Sequence, residues 1–239
     1  MNMEKLALFI DNTRKRLQKF IYQKFFSNFK SKKNVIDYFH KLYYDSKKQT
    51  RKNTFFLGTI TFKCPLDLWI YQEILFDLKP DIIIECGTAN GGSALFLASI
   101  CDSLNKGKIV TIDIEEKNNR PKHKRITYLS GSTTSKEIVE KVQSFIRSTD
   151  KIVVILDSDH HKDHVLRELE IYSKFVTKGS YIIVEDTNIN GHPVRPKFGP
   201  GPMEAVEEFL KGNRDFVIDK SREKFFLTFN PNGYLKKIP

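Results

Sequence analysis

From Pro65 onward, short runs of Val and Ile alternate with stretches whose apolar residues recur every three or four positions. The runs at 81–85, 108–113, 126–129, 152–157 and 180–185 are apolar almost throughout, as strands buried on both faces must be. Between them, residues 65–78, 91–104, 134–148 and 161–175 carry helical spacing. This alternation predicts an α/β domain with a buried, largely parallel sheet and helices on both faces. A further helix is expected over 203–211 and strands near 215–218 and 224–229. The run Asn230-Pro231-Asn232-Gly233 then reads as a turn closing the domain.

The first 53 residues follow another pattern. Leu6, Phe9, Ile10, Leu17, Phe20, Ile21 and Phe25 recur at helical spacing among Arg14, Lys15, Arg16, Lys19 and Lys24, which predicts an amphipathic basic helix over 4–29. A second helix is expected over 35–46, and the polar stretch 47–53 reads as a connection. Residues 1–53 hold 14 Lys and Arg against 4 Asp and Glu, a net of +10, so nearly all of the formal +11 resides there. The expected organisation is a helical appendage over 1–53 and a main domain over 54–239. An apolar stripe on a basic arm predicts a homo-oligomer or peripheral contact with an anionic membrane.

Composition narrows the setting. The chain has 3 cysteines, Cys64, Cys86 and Cys101, an odd count with no C-x-x-C pair, which argues against a disulfide framework and a Cys-rich zinc site and suits a reducing cytoplasm. No apolar run approaches the ~18 residues of a membrane span, and the N-terminus lacks a leader's apolar region.

Candidate chemistry begins at Glu85-Cys86-Gly87-Thr88-Ala89-Asn90-Gly91-Gly92-Ser93, which joins a strand to a helix through a Gly-rich turn. Gly87 and Gly91 let the backbone approach a ligand, and the first helical amides face the same space. Ser93 stands where a Walker motif needs Lys, and no G-x-G-x-x-G occurs, so the expected cofactor lacks a polyphosphate. Asp113, ending the next strand, suits a ribose diol. The remaining strand ends are acidic as well: Asp157 with Asp159, then Glu185-Asp186. Carboxylates converging on one sheet edge repel unless a cation shares them, and such oxygen donors suit Mg²⁺, Mn²⁺ or Ca²⁺. Two other metal patterns stay open, zinc through His160 and His164, and iron through His161-x-Asp163 with His192. The Gly- and Pro-rich loop 187–202, which carries Arg195 and Lys197, reads as a lid.

These residues, with 66–73 (Leu-Asp-Leu-Trp-Ile-Tyr-Gln-Glu), Leu156-Asp157-Ser158-Asp159-His160, Val184-Glu185-Asp186-Thr187-Asn188 and Gly199-Pro200-Gly201-Pro202-Met203-Glu204-Ala205-Val206, resemble the cephalosporin hydroxylase and rhamnosyl O-methyltransferase family. That family is a branch of the class I S-adenosylmethionine methyltransferases, and the likeness covers roughly 55–235. The resemblance implies a Rossmann-like α/β fold with a mostly parallel seven-stranded sheet. It implies that Glu85, Gly87, Thr88, Ala89, Gly91 and Ser93 surround the methionine end of S-adenosylmethionine, with Asp113 on the ribose, Ser132 near the adenine and Asp157 at the boundary. Mg²⁺ would be held by Asp157 or Asp159 with Glu185 and Asp186. Cys86 stands where smaller or aliphatic residues are usual and is expected to pack.

The implied activity is Mg²⁺-dependent O-methylation. A divalent ion on vicinal oxygens fixes and acidifies a hydroxyl, which points to a saccharide or similar small molecule in polysaccharide or lipid biosynthesis. His160 is the expected base, and His161 the alternative, because imidazole is the side chain that most often takes up a proton in such chemistry. A hydroxylase-like oxidoreductase component and a non-catalytic nucleotide-binding module remain as alternatives. Specific nucleic-acid recognition is not expected, since the Asn/Asp-Pro-Pro-Tyr type motif is absent.

Overall fold

The structure, a computed structural model, describes residues 13–19 and 31–238. Residues 13–19 are helical; the rest of the helix expected over 4–29 lies outside the described residues. The chain divides into two compact units, Met1–His40 and Lys41–Pro239. Helix α1 (Lys32–Asp45) contains the division.

The larger unit opens with an antiparallel hairpin, β1 (Phe55–Phe56) and β2 (Thr59–Ile60), and α2 (Pro65–Leu78), with Pro in its first turn. The sheet is built from β3 (Ile82–Cys86), β4 (Lys108–Asp113), β5 (Ile126–Ser130), β6 (Ile152–Leu156) and β7 (Tyr181–Val184), with β8 (Phe216–Ile218) and β9 (Tyr234–Lys237). Helices α3 (Gly92–Ser103), α4 (Lys136–Ser144), α5 (Lys162–Tyr172) and α6 (Pro202–Gly212) complete the unit. Strand order is β5-β4-β3-β6-β7-β9-β8, parallel from β5 through β7, with β9 antiparallel to both β7 and β8. The mostly parallel seven-stranded expectation therefore holds.

Alternation along each strand divides the core between the two faces. Ile82, Ile84, Cys86, Val154 and Val184 enter one apolar cluster, which α5 and α6 cover with Leu169, Val206 and Phe209. Ile83, Ile109, Ile155 and Ile183 enter a second, covered by Leu68, Tyr71 and Ile74 of α2 and Leu97 of α3. Parallel register pairs Cys86 with both Ile112 and Leu156, and Leu156 with Val184. Gly87, Asp113, Asp157 and Glu185 consequently follow one another across the same sheet edge.

The C-terminal segment departs from the sequence expectation. Residues 224–229 form no strand, and the turn at 230–233 leads into β9 instead of closing the domain. The run of Phe, Leu and Thr in this stretch favours a strand, yet its backbone bonds to other partners. Phe229 N donates to the Asp67 carboxylate (2.8 Å), and Phe229 O accepts from Asn188 N (3.1 Å). Asp67 also accepts from the hydroxyls of Thr228 (2.5 Å) and Tyr234 (2.9 Å). Burial pushes the Asp67 carboxyl up to about 7 against the pull of these donors.

Candidate active site

The turn after β3 is shaped by close packing as much as by any ligand. Gly87 has φ +98°, and a Cβ there would lie 1.9 Å from the carbonyl oxygen of Asp157. Only glycine lets the ends of β3 and β6 meet, an approach fixed by Asp157 N donating to Cys86 O (2.7 Å). Gly92 is equally confined, since its Cβ would stand 2.1 Å from Thr61 Oγ1. Cys86 is fully buried and its thiol is pushed far up by burial, so it packs as expected.

Asp113 holds this turn from β4. Its Oδ2 accepts from Thr88 N (3.1 Å) and Ala89 N (2.7 Å) and lies 3.3 Å from Arg120 Nη2, while Oδ1 accepts from Glu115 N (2.9 Å). Beside it a cavity of about 490 Å³ is lined by Gly87, Ala89, Asp113, Ser132 and Asp157, with the exposed Ile114 and the ring of His164. Glu85, Gly91 and Ser93 are not among the residues that line it. Glu85 is buried and accepts from Thr111 Oγ1 (2.6 Å), while its Oε1 has no hydrogen-bond partner.

At the ends of β6 and β7 the acidic residues separate into two groups. Asp157, His160 and Asp186 place one donor atom each within 4.8 Å of one another, the only such group of three among the described residues. His160 Nε2 is 3.3 Å from Asp186 Oδ2 and 4.0 Å from Asp157 Oδ1. Asp186 takes a left-handed conformation (φ +53°), with its N–H on Asn230 Oδ1 at 3.2 Å. The second group centres on Lys63, which no sequence pattern singled out. Its ammonium is buried and bonds both Asp157 Oδ2 and Glu185 Oε1. The Tyr71 hydroxyl donates to the same Glu185 oxygen (2.8 Å) and accepts from Asn230 Nδ2 (2.9 Å). Burial opposes the charge on Lys63, but Asp157, Glu185 and Glu85 outweigh it and hold the ammonium well above its ordinary range. Burial likewise pushes up Asp157, and Glu185 to about 7, while Lys63 pulls both down.

Asp159 also lines the cavity, and it pairs with His161 instead of joining the cluster of Asp157, His160 and Asp186. Asp159 Oδ1 accepts from His161 N (2.9 Å) and pairs with His161 Nδ1 (2.6 Å), and the His161 ring stacks on Phe198 at 5.2 Å. His164 pairs with buried Glu168 (3.3 Å), so it does not join His160. His192 pairs with Glu204 (3.0 Å), which also accepts from Asn190 Nδ2 and Gly201 N and so ties loop 187–202 to α6. Neither alternative metal pattern forms a cluster among the described residues.

Sheet order, a lone antiparallel strand and a cofactor-sized cavity at the strand ends define the Rossmann-like fold of the class I S-adenosylmethionine methyltransferases. The family model described as Rhamnosyl O-methyltransferase/CmcI matches residues 48–238. A rhamnosyl O-methyltransferase of Mycobacterium tuberculosis is 40% identical over 208 residues, 84% of each chain. That of Mycobacterium leprae is 37% identical over 208 residues, which cover 84% of this chain and 90% of the relative. Among solved structures, apo CmcI superposes with a TM-score of 0.62 at 18% identity, covering 79% of this chain and 77% of that one. CmcI with Mg and SAM gives 0.59 at 18% identity, over 79% and 78%. The chain belongs to the rhamnosyl O-methyltransferase/CmcI family.

Proposed function

We propose that this protein is a Mg²⁺-dependent S-adenosylmethionine O-methyltransferase acting on a sugar hydroxyl. The observation that carries this reading is the Asp157, His160 and Asp186 cluster beside the cavity bounded by Gly87 and Asp113. Family membership and the relatives named for rhamnosyl O-methylation support it. The residues present fit both groups. Hard oxygen donors on Asp157 and Asp186 suit Mg²⁺, and the cavity with the Asp113 carboxylate and the exposed Ile114 in its lining suits a nucleoside.

Asp157 and Asp186 would hold the metal, which when bound makes an adjacent sugar hydroxyl more acidic and fixes its position. His160 stands where it can take the proton that the acceptor oxygen loses, oriented by Asp186. Asp113 keeps the turn in shape and offers the ribose an acceptor, Ile114 gives the base an apolar surface, and Ser132 borders the cavity. Glu185, expected among the metal ligands, stands beside this cluster and bonds Lys63 and Tyr71. Asp159 and His161 brace the start of α5.

Three results test this reading. Calorimetry should show S-adenosylhomocysteine binding, and Asp113→Ala should weaken it by about 1.5 to 3 kcal/mol, the range for hydrogen bonds to a charged group. Binding of NAD in place of the methionine cofactor would sink the assignment. His160→Ala should retain the metal and lose about 10²- to 10⁴-fold in rate, as removal of a general base does; unchanged turnover would exclude it as the base.

The basic arm supports self-association over lipid attachment, because its stripe includes several large aromatics. No helix among the described residues is long and apolar enough to cross a membrane. Light scattering on full-length and 54–239 protein should show an oligomer that persists at high salt and is lost on truncation, since apolar burial is not screened. A full-length monomer at both salt levels would refute it.

A further inference from the structure

Not every charge of loop 187–202 is used by the fold. Glu204 takes up His192, but Arg195 and Lys197 join no ion pair among the described residues, and neither does Arg51 in the segment before β1. Arg195 sits at φ +48°, whereas the other left-handed positions of the loop hold Asn190, Gly191 and Gly199. An arginine kept where asparagine or glycine costs less implies that its side chain is what the position needs. That side chain is already held. Its guanidinium lies 4.6 Å from the centre of the Phe198 ring, which stacks in turn on His161 at 5.2 Å. Arg51 is held as well, with Nε donating to Tyr44 O (3.2 Å) and its guanidinium 4.0 Å from the centre of the Tyr44 ring. Tyr44 is buried among Ile189, Val194 and Phe229, with Phe198 packed on the same cluster. Burial pushes its phenol up, the Asp186 carboxylate adds to that, and Arg51 and Arg195 pull it down. Two guanidinium groups and a carboxylate of the acidic cluster thus gather about one tyrosine. A cavity of about 300 Å³ opens on Arg195, Pro196, Lys197 and Phe198, with no carboxylate in its lining.

We infer that Arg195 and Arg51, gathered about Tyr44 near Asp186, bind a phosphate group, and that the acceptor is a sugar carrying phosphate. The inference rests on the sugar O-methyltransferase reading above and names the class of its acceptor. Planar guanidinium forks match the oxygens of a phosphate, and with Lys197 they bring more positive charge than one carboxylate balances. An uncharged sugar would leave all three cations without a counter-charge. Phe198 and Tyr44 hold the forks in advance, so little side-chain freedom is lost when the anion binds. The net +10 of residues 1–53 draws the same anions toward the chain at longer range.

Calorimetry with inorganic phosphate and pyrophosphate on the full chain in EDTA reads this subsite with no metal to capture the probe. Wild type should bind pyrophosphate. Arg195→Gln and Arg51→Gln should each weaken that binding at least about tenfold, the low end for hydrogen bonds between charged groups, and leave S-adenosylhomocysteine affinity unchanged. Lys48→Gln, which removes an exposed charge from the same basic stretch as Arg51, should change little. Pyrophosphate bound more tightly than phosphate marks a diphosphate-linked sugar, and equal binding marks a sugar monophosphate; either supports the proposal. An absence of pyrophosphate binding overturns it. So does an equal loss in Lys48→Gln, which would assign the anion to the basic arm at large, or glucuronate bound more tightly than phosphate, which would make the site one for carboxylates. Should Arg51→Gln fail to fold, because Arg51 also holds the Tyr44 carbonyl, Arg195→Gln on the exposed loop decides. S-adenosylhomocysteine calorimetry on wild type reports separately on the methyltransferase reading. A chain that binds it but no pyrophosphate keeps that reading and loses this one, whereas pyrophosphate binding alone keeps the phosphate subsite and sinks the methyltransferase.

Discussion

Asp186→Asn is expected to abolish methyl transfer while leaving S-adenosylhomocysteine affinity within about threefold of wild type. The amide is isosteric, and Asn tolerates the left-handed backbone (φ +53°) that Asp186 adopts, so the change removes charge without distorting the chain. Asp186 does not line the cofactor cavity, which accounts for the retained affinity. A bound divalent ion contributes several kcal/mol of charge stabilisation, so the rate should fall by at least about 10³-fold. Exhaustive chelation of wild type should have the same effect, reversed by Mg²⁺. Methylation that survives chelation would rule out the metal-assisted mechanism, and a variant that loses cofactor binding as well would show that Asp186 serves the wrong side of the site.

Gly87→Ala should be the most damaging single-methyl change in the domain. A Cβ at 1.9 Å from the Asp157 carbonyl oxygen cannot be absorbed by a flexible side chain, because the obstacle is backbone at the end of β6. The left-handed φ of +98° adds strain of about 1 to 3 kcal/mol, and overpacking adds a further cost of about 1 to 3 kcal/mol. The two together approach the limit of what a single substitution does. Denaturant melts should show a loss of about 4 kcal/mol or no folded protein. A variant that folds with near-normal stability and merely loses the cofactor would mean that Gly87 serves the ligand alone.

The two glycines of the turn show how far local pattern carries. Gly87 and Gly91 were legible as positions that need freedom, because a strand passing into a helix with no room for Cβ announces itself in sequence. The partner that demands Gly87 was not legible. It is Asp157, seventy residues away, brought alongside by the pairing of β3 with β6. Lys63 was hidden for the same reason. A lone basic residue between Phe62 and Cys64 has no period or motif, and its meaning appears only where β6 and β7 end beneath it. Ile114 left a trace that could have been followed, an apolar residue directly after a strand-ending acid, and the structure leaves it exposed at the cavity mouth.

The strand expected at 224–229 marks the opposite failure, in which the β-favouring residues were real but the backbone hydrogen bonds went elsewhere. Asp67, on the first turn of α2, takes the backbone N–H that a ladder would have used. Within the acidic edge, sequence could place Asp157, Asp159, Glu185 and Asp186 together, yet it could not divide them.

The sequence alone determined the alternation of strands and helices, the strand-end position of the acidic residues, the glycine turn and the concentration of basic charge in residues 1–53, because each is set by local periodicity, backbone sterics or charge. Tertiary structure alone decided that Asp157, His160 and Asp186 converge while Glu185 bonds Lys63 and Tyr71, that Asp159 and His161 pair with each other, and that Asp67 anchors the C-terminal segment. Those outcomes depend on the direction of side chains from strands far apart in sequence, and parallel pairing fixes that direction only once the whole sheet has assembled.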